Sequence, residues 1–207
     1  LSATLTFAYF TANSETSTST VNFGNLAISL NSTETNASAK NKFTIDNGHT
    51  LVPGCTIAMD SKSNVQVAAN SIDCYVRIAI TIKGTKKGGT EASLDSSLYK
   101  LTMPTGDSAI WVSSGNYFYY KGKVAKQSTA KDLSLNGISI KVSESAVGND
   151  WKEGTITITL TAEAIQADHL VDASGKDIDL TTFDATKLDG AAAWKTVSNN
   201  GVVKQGN

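Results

Sequence analysis

Two segments of this sequence alternate between apolar and polar side chains with a period of two. In residues 75–82 the two faces read Val76, Ile78, Ile80 and Ile82 against Tyr75, Arg77, Ala79 and Thr81. In residues 155–164 they read Ile156, Ile158, Leu160, Ala162 and Ala164 against Thr155, Thr157, Thr159, Thr161 and Glu163. This period is that of a β-strand with one dry face, and a second sheet must cover that face. The chain is therefore predicted to be an all-β antiparallel sandwich.

Shorter segments with strand character lie between turn residues. They are residues 21–30 (with a bulge at Gly24), 42–46, 55–59, 65–67, 110–112, 117–121 and 138–142. Turns are predicted at Asn47-Gly48, Pro53-Gly54, Gly115-Asn116 and Asn136-Gly137. Eight to ten strands in one domain, residues 21–207, indicate a jelly-roll-like sandwich. One or two short helices are predicted in addition, at residues 90–98 and 183–197.

Composition excludes two large classes of protein. The 207 residues carry a net charge of −1, and Arg77 is the only arginine. A nucleic-acid-binding protein needs a basic face, so no nucleic-acid partner is expected. No run of 18 apolar residues occurs, so no membrane-spanning segment is predicted. The 25 Thr and 23 Ser favour strands with one wet face, a composition common outside the cell.

The two cysteines, Cys55 and Cys74, match neither a zinc pattern nor a Cys-x-x-Cys redox pair. One structural disulfide between neighbouring strands is the favoured interpretation, and two free buried thiols are the alternative. A disulfide implies export, because thiols stay reduced in the cytosol. The sequence starts at Leu1 without a basic leader, so a signal peptide is expected to have been removed. We therefore expect a secreted protein that is extracellular or at the cell surface.

Asn31 and Asn36 begin formal N-glycosylation sequons, Asn31-Ser32-Thr33 and Asn36-Ala37-Ser38. Such sequons also arise by chance in chains rich in Asn, Ser and Thr. Glycosylation at these positions therefore remains an open alternative.

The N-terminus combines an apolar strand with a polar tether. Leu1, Ala3, Leu5, Phe7 and Tyr9 share one strand face in residues 1–11, and residues 12–20 are polar and linker-like. Such a strand can fold back as the first strand of its own sheet, or it can complete the sheet of a neighbouring subunit. In the second case subunits join head to tail, and a joint that does not close makes a filament.

Several short motifs, taken in order, resemble exported proteins of the TasA/camelysin type. The matching stretches are Phe7-Ala8-Tyr9-Phe10-Thr11, residues 21–28, Val52-Pro53-Gly54, residues 73–78, residues 117–121 and residues 161–168. That family comprises biofilm-matrix fibre subunits of bacteria, with relatives among archaeal bundling pili. The resemblance implies a jelly-roll subunit that donates its N-terminal strand, residues 1–11, to the next subunit. It also implies other matrix components as further partners. Ala12-Asn13, where the family often has Asp, and an earlier start of the apolar run depart from the family pattern.

Camelysin-type proteins have been called metalloproteases, but the sequence lacks the residues for that chemistry. A zincin needs two histidines one helical turn apart with a glutamate between them, and His49 and His169 lie in unrelated segments. No Gly-x-Ser-x-Gly elbow occurs either. No catalytic residue, metal site or cofactor is therefore predicted, and the protein is not expected to be an enzyme.

Two further clusters have a chemical and a structural interpretation. Asp172, Ser174, Gly175, Asp177 and Asp179 loosely resemble a calcium loop, but a solvated acidic turn is favoured because the glutamate at position 12 is missing. The aromatic run 117–120 resembles a sugar-stacking platform, whereas alternating core positions are favoured.

Two functions remain. The first is a structural subunit of an extracellular filament that polymerises through residues 1–11. Its acceptor groove would be bordered by residues 75–82 or 155–164. The second is a monomeric secreted adhesin or carbohydrate-binding sandwich, in which residues 1–11 form the first strand of the same chain.

Overall fold

A computed structural model of the chain describes residues 11–12, 26, 28–31, 42–50, 53–59, 61–106, 109–147, 151 and 154–195. These residues form antiparallel strands with one α-helix and one 3-10 helix, as the all-β prediction requires. The strands are β1 (Thr11–Ala12), β2 (Ile28–Asn31), β3 (Lys42–Thr50), β4 (Thr56–Ala58), β5 (Asn64–Val67), β6 (Cys74–Thr85), β7 (Ala92–Ser93), β8 (Tyr99–Thr102), β9 (Trp111–Ser114), β10 (Tyr117–Tyr120), β11 (Lys131–Ser134), β12 (Ser139–Val142) and β13 (Thr155–Gln166). The 3-10 helix is Ser96–Leu98, and the α-helix, α1, is Ala185–Asp189.

The two long alternating segments form the centre of the largest sheet. That sheet has the order β1-β13-β6-β10-β9, with β3 also paired to β13 and β7 also paired to β6. β6 and β13 are each 12 residues long and pair over their whole length, from Thr155 opposite Thr85 to Gln166 opposite Cys74. Two smaller sheets follow the orders β11-β5-β2 and β4-β12-β8. The backbone bond from Leu135 N–H to Ser63 O (2.9 Å) extends the pairing of β11 with β5, and the bond from Met59 N–H to Ile138 O (2.9 Å) extends the pairing of β4 with β12.

The apolar faces of β6 and β13 pack against the smaller sheets, as the alternation predicts. Towards one end, one cluster joins buried side chains of the large sheet to the β11-β5-β2 sheet; it includes Val76, Ile78, Leu160, Val65 and Leu133. Towards the other end, a second cluster joins the large sheet to the β4-β12-β8 sheet; it includes Ile82, Ile156, Ile158, Ile140 and Val142. The inner face of the large sheet is therefore covered along its length.

The opposite face of the large sheet is also covered at one end, which the sequence did not predict. Residues 168–195 lie over it, and we call this segment the C-terminal cap. Tyr75, Tyr119 and Ile165 of the sheet cluster with buried side chains of the cap, namely Leu170, Ala185, Leu188, Ala191, Ala193 and Trp194. The fold therefore has three layers at this end. The cap buries a face that the alternating pattern predicts to be exposed to solvent.

The predicted helix at residues 90–98 is wrong. Ala92–Ser93 instead pair with Lys83 and Gly84 of β6, and only Ser96–Leu98 turn as a 3-10 helix. Leu94 and Leu98 are buried as the spacing suggested. Backbone pairing with the edge of β6 holds residues 92 and 93 in an extended conformation, which excludes a helix there. The second predicted helix, at residues 183–197, is confirmed over Ala185–Asp189.

The turn predicted at Asn47-Gly48 is also wrong. β3 runs through it, and its register with β13 shifts twice, so that Gly48 and Ile45 have no partner opposite them. Two bulges of this kind absorb the extra residues without ending the strand. The predicted bulge at Gly24 lies outside the described residues, as does the remainder of strand 21–30 before Leu26.

Candidate functional site

The edge of β13 is the place where the N-terminal segment meets the sheet. One edge of β13 is paired throughout with β6. On the other edge, β3 pairs with Thr155 to Thr161, and β1 pairs with the positions beyond them. Thr11 lies opposite Ile165, and Ala12 lies opposite Ala164. Thr11 and Ala12 thus give β13 backbone partners beyond the part of its edge that β3 covers.

The two β13 positions that pair with β1 point to opposite faces of the sheet. Ala164 belongs to the cluster on the inner face, and Ile165 belongs to the cluster beneath the cap. Both are fully buried. The edge that β1 occupies is therefore part of a dry and well-packed strand. The predicted donor residues Leu1, Ala3, Leu5, Phe7 and Tyr9 lie outside the described residues, as does Asn36. Asn31 is the last residue of β2.

A row of polar side chains crosses three strands beside this edge. Arg77 on β6 lies opposite Glu163 on β13 and opposite Tyr119 on β10. Arg77 Nε donates to Glu163 Oε2 at 2.7 Å, and an Arg77 terminal nitrogen donates to the Tyr119 hydroxyl at 3.2 Å. Arg77 is 3% exposed and Glu163 is 9% exposed. A buried charge needs such partners, because its desolvation is otherwise uncompensated.

Aromatic rings enclose the same guanidinium group. The Arg77 guanidinium carbon is 3.6 Å from the centroid of the Tyr117 ring and 4.1 Å from that of Trp194. Both distances are within the range of cation–π attraction, which strengthens when the cation is desolvated. Trp194 belongs to the C-terminal cap, so Arg77 connects the cap to the sheet.

A hydrogen bond from the Tyr119 hydroxyl to Asp189 Oδ1 makes a second connection. Asp189 ends α1, whose first turn is capped by Asp184 Oδ1, an acceptor for the backbone N–H groups of Thr186 and Lys187. Burial raises the pKa of the Tyr119 phenol far above its ordinary value, and the bond to Asp189 raises it further. The phenol is therefore a neutral donor at physiological pH.

Sequence reasoning placed Arg77 and Glu163 on the wet faces of their strands and assigned them no role. Two signals were present in the sequence. Arg77 is the only arginine among 18 basic residues, and an unpaired charge in the middle of a strand needs an oppositely charged neighbour. The register that places Glu163 opposite Arg77 was not available from the sequence alone.

The predicted disulfide is wrong in this structure, where Cys55 and Cys74 are free thiols. Cys74, the first residue of β6, belongs to the cluster that faces the β11-β5-β2 sheet. Cys55 packs against the other inner cluster, which contains Ile82 of β6. Ile82 is eight positions after Cys74 in β6. At ~3.3 Å per residue, these positions on β6 are about 26 Å apart. A disulfide requires Cα atoms within roughly 7 Å. Burial raises the pKa of Cys74 to about 12.

The acidic loop, residues 172–179, is held together by hydrogen bonds within the loop. Asp172 Oδ1 accepts hydrogen bonds from Ser174 N–H (2.8 Å), Ser174 Oγ (2.6 Å) and Lys176 N–H (3.1 Å). These bonds lower the pKa of Asp172. Within the described part of the chain, no group of three or more histidine, cysteine, aspartate or glutamate side chains is placed to hold a metal ion. The geometry is that of a side-chain-stabilised turn.

The aromatic run 117–120 is divided between the two faces of the sheet. Tyr117 and Tyr119 pack in the cluster under the cap, and Phe118 and Tyr120 pack against the inner cluster. The interpretation as alternating packing positions is therefore confirmed. A flat platform of four exposed rings does not form.

No protein-family model matches the chain, and neither a curated protein sequence nor a solved structure gives a significant match. Among the described residues, no helix has the length and apolar character to cross a membrane.

Proposed function

We propose that this protein is a structural subunit of an extracellular filament, pilus-like or of a biofilm matrix, that assembles by donor-strand complementation. Residues 1–11 of one subunit complete the sheet of the next, and the β-domain has a jelly-roll-like arrangement. The role is structural, without a cofactor. The observation that carries the proposal is the pairing of Thr11 and Ala12 with Ile165 and Ala164 at the edge of β13.

This edge is suited to exchange between subunits. Among the described residues, β1 contributes two residue pairs to this edge and β3 contributes seven. A second copy offers the same backbone groups to β13, so replacing one N-terminal segment by another costs little in hydrogen bonds. The apolar alternation of residues 1–9 adds side chains whose burial is favourable by ~1.5–3 kcal/mol each for the large ones.

The segment between Ala12 and Leu26 has the length that exchange requires. Residues 13–25 separate Ala12 from Leu26, the next described residue. At ~3.3–3.6 Å per residue, 13 extended residues span about 45 Å. This reach is comparable to the diameter of a domain of this size, so the segment is long enough to pair with an adjacent subunit.

Electron microscopy of substitution variants tests the proposal. Leu5→Asp with Phe7→Asp places charges on the apolar face of the donor strand, and Thr4→Asp with Thr6→Asp places the same charges on the other face. We expect filaments from the unaltered chain and from the Thr4/Thr6 variant, and monomers from the Leu5/Phe7 variant. Filaments from all three chains would show that the joint lies elsewhere.

A cross-link distinguishes a strand exchanged between subunits from one folded back. Ala12→Cys with Ala164→Cys joins opposite positions of an antiparallel pair, in a chain whose own cysteines are replaced (Cys55→Ser and Cys74→Ala). Exchange gives a ladder of covalent multimers on a non-reducing gel. A single monomer band would overturn the proposal and favour the monomeric adhesin or carbohydrate-binding sandwich. Ala12→Cys with Thr161→Cys is the control, because Thr161 pairs with Lys42 instead.

A further inference from the structure

A concave cleft beside β10 is lined by positive side chains and one aromatic ring. Its volume is about 270 Å³, and its walls include Lys123, Lys126, Lys131, Gln127 and Tyr120. No carboxylate is among the lining residues. We call it the lysine cleft. Strands β13 and β6 lie between β1 and β10 in the sheet.

The loop that carries two of these lysines is held firmly against the start of β6. Cys74 and Val124 exchange two backbone hydrogen bonds of 2.9 Å, and Asn70 N–H donates to Gln127 O at 2.8 Å. Asp73 Oδ1 accepts the Lys126 backbone N–H at 2.8 Å. Four backbone and side-chain bonds of this kind leave little freedom to be lost when a ligand binds.

The charges of the cleft are only partly compensated. Lys123 Nζ is 2.6 Å from Asp73 Oδ2. Lys126 and Lys131 are exposed, and neither has an ion pair with any residue that the structure describes. Two ammonium groups therefore face solvent beside a concave wall, where the local potential attracts an anion.

Tyr120 gives the cleft a rigid aromatic wall. Its ring meets that of Trp111 edge to face, with centroids 5.9 Å apart and planes at 71°. Trp111 is itself fixed, because its indole N–H donates to Ser134 O at 2.8 Å. A fixed, half-buried tyrosine presents both a ring and a hydroxyl group, the combination that suits a partly apolar and partly polar ligand.

We propose that the lysine cleft binds a carboxylated saccharide, with its carboxylate between Lys126 and Lys131 and a sugar face against Tyr120. The volume is slightly below the ~300–1,000 Å³ of pockets for drug-sized ligands, so one sugar unit of a longer chain fits. Lysine is a point charge that serves a single carboxylate. A nucleic acid is disfavoured, because the only arginine is buried and the net charge is −1. This site does not depend on filament formation.

Titration calorimetry with the full chain tests the site. The probes are an oligogalacturonate, a neutral maltooligosaccharide of equal length and an oligothymidylate. We expect heat of binding with the oligogalacturonate alone, weakening as salt is raised. The variant Lys126→Gln with Lys131→Gln is expected to bind it roughly tenfold more weakly, since two exposed charge contacts are lost.

A matched control has the same charge change elsewhere. Lys100→Gln with Lys176→Gln alters two exposed lysines outside the cleft and is expected to keep the affinity within about twofold. Tyr120→Leu keeps the charges and is expected to weaken the affinity by several fold, and thermal unfolding of each variant checks its fold. Equal weakening in the control would overturn the site. Equal binding of the neutral sugar, tighter binding of the oligothymidylate or no binding of the oligogalacturonate would overturn the ligand class.

Discussion

Arg77 and Glu163 lie directly opposite each other on the two central strands, and Arg77 Nε is 2.7 Å from Glu163 Oε2. The pair lies on the face of the sheet that the C-terminal cap covers. Trp194 and Asp189 of the cap contact Arg77 and Tyr119 respectively. One polar row therefore connects the cap to the sheet, and buried apolar side chains of both surround it. Buried polar groups can specify a single arrangement in this way, although they do so at a cost in stability.

The first prediction concerns the unpairing of Glu163. Arg77→Met removes the partner and leaves a buried carboxylate, so we expect a loss of ~3–5 kcal/mol in the free energy of unfolding. Adding Glu163→Leu should recover most of that loss. Urea denaturation measures both. Lys83→Met is the control on the same strand: Lys83 and Glu91 are 45% and 43% exposed, and such pairs contribute ~0–1 kcal/mol. Equal losses for Arg77→Met and Lys83→Met would contradict the prediction.

The second prediction concerns the docking of the cap. Trp194 is 2% exposed, and its indole N–H donates to Leu188 O at 2.8 Å. Trp194→Ala should cost ~3–5 kcal/mol. Hydrogen exchange should show lost protection in residues 185–194, with protection retained where β6 pairs with β13. Trp151→Ala, at a half-buried site in another cluster, should leave the exchange of the cap unchanged. Uniform loss of protection would show that the cap does not open separately.

The third prediction concerns the two thiols. Cys74 is fully buried and its pKa is raised to about 12, whereas Cys55 is partly exposed. Because the thiolate is the reactive form, an alkylating reagent at pH 8 should modify Cys55 and spare Cys74 in the folded protein. Mass spectrometry after unfolding without reductant should then show two modified thiols. Finding none would indicate a disulfide, and Cys55→Ser should abolish the reaction of the folded chain.

The fourth prediction concerns pH. The hydrogen bond with Lys123, followed by the Lys126 backbone N–H, lowers the pKa of Asp73 below its ordinary value of 3.8. A lowered carboxyl pKa stabilises the fold above about pH 4, and this contribution disappears as pH falls through the pKa of the folded state. Asp73→Asn should therefore be less stable than the unaltered chain at pH 7, with the difference shrinking below pH 4.

Urea titrations between pH 2 and pH 7 measure the effect of Asp73→Asn. Asp177→Asn, at an exposed site of the acidic loop, is the charge-matched control. This control should lower the free energy of unfolding at pH 7 by less than Asp73→Asn does. A constant difference between Asp73→Asn and the unaltered chain over the whole range would mean that the bond geometry, not the charge, carries the effect.

Much of the inner architecture follows from periodicity. Residues 75–82 and 155–164 form the central pair of strands, and their alternating apolar positions face the smaller sheets. The division of residues 117–120 between two faces follows from the same rule. The local pattern is enough to predict which side chains face inward, because a strand with one apolar face can bury that face in one orientation only.

The candidate site was less predictable, because its residues meet only through long-range register and the cap. The sequence determined that the chain forms antiparallel strands with apolar inner faces, since side-chain direction alternates along any strand. Only the tertiary structure decided that one end of the outer face is also buried, that Arg77 meets Glu163 and Trp194, and that Cys55 and Cys74 stay apart. These outcomes depend on where residues 168–195 pack and on which strands become neighbours. Both are set by the total burial of the fold rather than by any local pattern.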